Sequence, residues 1–69
     1  MATLVIEPNL TSPDDFYEAL LEAHCALTPE QSQLVNAKLI LLLANHVGEL
    51  DVLREAIARA REGVAPPSP

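Results

Sequence analysis

Two histidines, ten carboxylates and a single cysteine are the residues of this chain whose types could do chemistry. Zinc sites need ligand pairs at characteristic short spacings, and no pair among His24, Cys25 and His46 has one. His24 and Cys25 are adjacent, and adjacent side chains on a helix point about 100° apart, so they cannot clamp one ion side by side. A Cys–His nucleophile would also need an oxyanion pocket, for which short helices leave little room. Cys25 therefore reads as a small hydrophobe to be buried. His46 follows Asn45 at the end of an apolar run. There it can bond the last carbonyls of a helix and, when charged, gain from the helix dipole. A place at a partner interface is its second reading, and metal ligation its third. The expectation is a chain that is not an enzyme, with no catalytic, cofactor-binding or metal residues.

The elements that must position these groups are marked by clear punctuation. Ser12-Pro13-Asp14-Asp15 is a helix start, with Ser12 able to cap, Pro13 suited to the first helical position and two acids at the positive end of the dipole. Thr28-Pro29-Glu30-Gln31 repeats the device and adds Gln31 at the capping-box position. Pro29 forces Thr28 out of helical geometry, so the first helix should end near Ala26. Gly48 can take the left-handed conformation that closes the second helix. A third helix runs from about residue 50 to Glu62, where Gly63 stops it, and Glu55 with Arg59 forms an i,i+4 pair along it. The expected class is all-α, a small three-helix bundle with helices near 13–26, 29–47 and 50–62. An N-terminal arm (1–11) precedes this domain (12–62), and a disordered Pro-rich tail (63–69) follows it.

The faces of the helices differ. In the first, Phe16, Ala19, Leu20 and Ala23 form one apolar stripe opposite Asp15, Glu18 and Glu22. In the third, Leu50, Leu53, Ala56, Ile57 and Ala60 do the same. The second helix is apolar nearly all round. Gln31, Lys38 and Asn45 make one narrow polar stripe flanked by Leu34, Leu41 and Leu42, while Leu39, Ile40, Leu43 and Val47 fill the other side, interrupted by Asn36. A helix of this kind needs cover on nearly every side, more than two short neighbours supply. One side is expected to build the monomer and the other a complex. Asn36, if buried, would need a hydrogen-bond partner, which a second subunit could provide.

The arm Thr3-Leu4-Val5-Ile6-Glu7 is β-branched and apolar, and nothing else in the chain resembles a strand. It should lie as extended coil, pair with its copy in a dimer, or add to a partner's sheet. Leu4, Ile6, Asn36, Leu39, Ile40, Leu43, Asn45, His46 and Val47 are thus the candidate partner-interface residues.

Composition limits the alternatives. The net charge is −6, and before residue 50 seven acids face Lys38 alone. Such a surface repels a phosphate backbone, which excludes nucleic acid as a partner. The longest apolar run falls short of the roughly 20 residues that cross a bilayer, so no membrane role is expected. The start has no basic region of a signal peptide, and one cysteine allows no internal disulfide. The chain reads as an acidic, soluble, cytoplasmic protein.

Asp15-Phe16-Tyr17-Glu18, Ala23-His24, Leu27-Thr28 with Glu30, and above all Leu42-Leu43-Ala44-Asn45-His46-Val47-Gly48 resemble a small bacterial family classed as domain of unknown function 2783. The resemblance spans about residues 12–60 and supplies no catalytic residues. It implies short stand-alone proteins encoded near catabolic flavin-dependent oxidoreductases, and hence an accessory role. The functional expectation is a non-catalytic interaction module, an accessory subunit that binds a larger enzyme, such as a flavin-dependent oxidoreductase, through the apolar second helix. The alternatives are a self-contained homodimer and, further behind, a small metal or ligand carrier using His24, His46 and Asn45.

Overall fold

The structure is a computed structural model and describes residues 3–64. Its order is α1 (Pro13–Ala23), α2 (Pro29–Val47) and α3 (Leu50–Arg61), with no strand among the described residues. The all-α class and the three helices are those the sequence predicts. The tail expected at 63–69 lies, from residue 65 onward, outside the described residues.

Helix α1 begins with Pro13 in its first turn and Asp14 and Asp15 beside the dipole's positive end. Ser12 does not cap with its side chain. It sits at φ 54, ψ 62, in the left-handed region, where its hydroxyl makes no cap bond. A side-chain cap requires extended backbone at that residue. Its carbonyl still accepts the Phe16 N–H at 3.2 Å. The helix also ends at Ala23, earlier than the expected Ala26. The N–H groups of His24 and Cys25 bond to the carbonyls of Leu21 (3.2 Å) and Glu22 (3.1 Å), tightening the chain into i→i−3 turns. Ala26 then turns left-handed at φ 62.

The start of α2 follows its sequence signature closely. Thr28 is extended at φ −71, ψ 162, and forms the full capping box. The Gln31 N–H donates to Thr28 Oγ1 (3.1 Å), and the Thr28 N–H donates to Gln31 Oε1 (3.0 Å). At the other end Gly48, at φ 77, donates its N–H to Ala44 O at 2.9 Å. Helix α3 starts without a side-chain cap, the Glu49 carbonyl accepting the Leu53 N–H (3.1 Å), and closes one residue before Glu62.

Thr3 to Ile6 of the arm lie as coil and pair with no other segment among the described residues. No second strand exists in the described chain to satisfy its backbone groups.

The helices take little surface from one another. No described residue is buried, and no two helices pack along their lengths. The radius of gyration is 14.3 Å, against roughly 11 Å for a compact chain of this length. The half-buried apolar residues are Leu4 in the arm, Leu20, Leu27, Val35 and Leu39 about the α1–α2 junction, and Ala44, Val52, Leu53 and Ala56 about the α2–α3 junction.

Candidate interaction surface

The two-residue link Gly48–Glu49 brings α3 back beside the end of α2. A left-handed glycine ends α2 abruptly, and α3 resumes at once with its apolar stripe. Between them lies an open groove of about 520 Å³. Ile40, Leu43 and Val47 form its α2 wall, and Leu53, Ala56 and Ile57 the middle of its α3 wall, with Leu41, Ala44, Leu50 and Ala60 completing the lining. Every lining residue is apolar, so the groove supplies contact area and shape but no proton donor, nucleophile or ligand.

The candidate residues separate into groups. Ile40, Leu43 and Val47 share the groove, with Ile40 64% exposed. Leu39 is half-buried outside the groove lining. Leu4 is half-buried and Ile6 exposed in the arm. Asn45 and His46 are exposed near the end of α2 and do not line the groove. His46 occupies the last turn of α2, where a positive charge meets the dipole favourably. Asn36 is exposed and finds its partner within the chain, since His24 Nε2 stands 3.1 Å from its Oδ1. With Oδ1 as acceptor, that bond requires a proton on Nε2. A second subunit is therefore not needed to satisfy Asn36. The contact ties the end of α1 to α2.

Both sides of α2 stay open, including the side expected to build the monomer. Leu41 and Leu42, beside the polar stripe, are 70% and 69% exposed. The α3 wall is the part of the surface absent from the candidate residues. Its signal lies in the spacing of Leu50, Leu53, Ala56, Ile57 and Ala60, which reads equally well as a stripe covered inside one molecule.

Charge is distributed unevenly around this surface. On α3, Arg54 and Arg61 stand next to the groove lining on the helical wheel, while Asp51, Glu55 and Glu62 fall on the opposite side. Arg59 pairs with Glu55 at 3.3 Å, both half exposed. Arg54 and Arg61 make no ion pair among the described residues. Helix α1 carries Asp14, Asp15, Glu18 and Glu22 and no base. Cys25 is exposed, not buried as expected: it lies in the turn after α1, and no described residue of the chain is buried. Among the described residues no three His, Cys, Asp or Glu come together in a group able to hold a metal ion. Nor is any helix of the described chain long and apolar enough to cross a membrane.

The model of the family described as protein of unknown function (DUF2783) matches residues 4–62, and the chain belongs to that family. No curated protein and no solved structure matches it. The match takes in all three helices and both walls of the groove.

Proposed function

We propose that this family member is a non-catalytic interaction module, an accessory subunit that binds a larger enzyme in the cytoplasm through the apolar helix α2. The observation that carries this reading is the absence of any buried residue among those described, beside helices with broad apolar faces. A chain of 7.4 kDa must bury most of what it can to be stable. Ordinary domains are stable by only about 5–15 kcal/mol even with a full core. Apolar faces left open at this scale support association with another protein surface. The groove offers hydrophobic contact and no reactive group, which fits binding and not catalysis.

A flavin-dependent oxidoreductase is the enzyme to test first, on the strength of the family resemblance. The test is recovery of the native complex: the chain is tagged at its carboxyl end, expressed in its host, and purified under mild salt. A stoichiometric larger protein with bound flavin is expected. Recovery of the small chain alone, at native expression level, would reject the reading.

A further inference from the structure

We infer that the α2–α3 groove is occupied by helix α1 of a second copy of this chain, and that the two copies exchange α1 reciprocally. Three observations converge on that occupant.

The first is area. The chain exposes 6358 Å², against roughly 4,200 Å² for a compact monomer of its mass. Even half of the excess, roughly 1,000 Å² per chain, reaches the ~1,000 Å² per partner at which obligate homodimer interfaces begin. The second is shape. The α3 wall runs from Leu50 to Ala60, about 15 Å along the helix. Helix α1 has 11 residues, about 16 Å. It is one-sided, with Phe16, Ala19, Leu20 and Ala23 on its apolar stripe, and none of its residues is buried in its own chain. A one-sided helix laid into a two-helix groove is the ordinary way to close a small helical core.

The third observation is charge. Two copies of a −6 chain repel unless they meet where the signs differ. The acids of α1, which include Asp15 and Glu22, meet no base on their own helix. Arg54 and Arg61 border the groove without an ion-pair partner among the described residues. Docking α1 of one copy in the groove of the other brings these two sets together twice, once at each reciprocal contact. This exchange is a closed, two-fold arrangement that uses up both sticky surfaces and does not propagate. In each copy the stretch from His24 to Thr28, with the left-handed Ala26, connects α1 to α2.

The exchange goes beyond the accessory role in that a second copy covers one face of α2; the far face, with Leu42, is left to the larger partner. Its test uses four exposed side chains, so that the helices themselves are not at stake. One variant carries Arg54→Glu with Arg61→Glu, the other Asp15→Arg with Glu22→Arg. Wild type should show twice the 7.4 kDa chain mass by light scattering. Each variant alone should dimerise at least tenfold more weakly at low salt, because like charges then face each other at both contacts. An equimolar mixture of the two should recover a 1:1 dimer near wild-type affinity.

Where a variant is poorly helical alone, regained helicity on mixing supports the exchange and its absence overturns it. A monomeric wild type, variants that dimerise as well as wild type, or a mixture without recovery would each overturn the exchange. Rescue only when all four changes share one chain would assign α1 to its own groove instead. A monomer that still brings down a flavoprotein sinks the exchange alone. An exchanged dimer with no enzyme attached sinks the accessory role alone.

Discussion

Helix α2 ends in two junctions of opposite character. At its start, Thr28 and Gln31 satisfy one another reciprocally, and His24 reaches across to Asn36. At its finish, Gly48 turns the chain in two residues and leaves an open apolar groove between α2 and α3. The first junction is complete within the chain because its polar groups find partners there, two of them across one helical turn and the third, His24 with Asn36, between the two helix segments. The second is incomplete because hydrophobic faces need area from elsewhere, and the nearby helix supplies only one wall. Satisfied polar groups and uncovered apolar surface are thus separated along a single helix, with the open apolar groove at its carboxyl half.

Substitutions at each junction test that contrast. The largest effect belongs to the groove. Ile57 lines the groove and is 61% exposed in the single chain, so Ile57→Ala should cost about 2–5 kcal/mol in denaturant unfolding if a partner surface covers the site, as for a buried isoleucine. At an uncovered site the same change would stay within about 0.5 kcal/mol, so the measurement separates a filled groove from an empty one. Gly48→Ala comes next. A Cβ there meets only Asn45 O at 3.9 Å, an ordinary contact, so the cost is that of the left-handed backbone alone. A loss of about 1–2 kcal/mol is expected in thermal unfolding.

At the other junction, Thr28→Ala removes the acceptor for the Gln31 N–H. It should cost about 1 kcal/mol, seen as a lower melting midpoint with the oligomeric mass unchanged. Should Thr28→Ala change that mass, the separation of the two junctions would be wrong. The smallest effect is expected on the exposed face of α3. Glu55→Ala breaks the pair with Arg59 and should alter stability by no more than about 0.5 kcal/mol. A larger loss would mean that this face, too, is covered.

Much of the fold is legible in the sequence because it depends on near neighbours. Thr28 with Gln31, Pro29, Gly48, and Glu55 with Arg59 all act over one helical turn, and each stands where its spacing predicts. Ser12 departs from its signature because capping depends on the backbone angles that precede the helix, and those follow from how the arm approaches. The end of α1 departs for a related reason, since the left-handed Ala26 carries no glycine or asparagine signal. Of the candidate interface, Ile40, Leu43 and Val47 are legible from the surplus of apolar residues on α2. Their counterparts Leu53 and Ile57 are legible only as an apolar stripe, because periodicity says that a face must be covered and not by what.

The number of helices, most of their ends, and the presence of more apolar surface than one small chain can hide are therefore written in the residues themselves. These follow from local hydrogen bonding and from composition, which no change of packing alters. Three outcomes needed the folded arrangement: the surplus gathers in a groove between α2 and α3, Asn36 is satisfied by His24 within the chain, and Arg54 and Arg61 stand beside that groove with no ion-pair partner among the described residues. All three depend on how segments far apart in sequence are oriented, and helical periodicity carries no information about that.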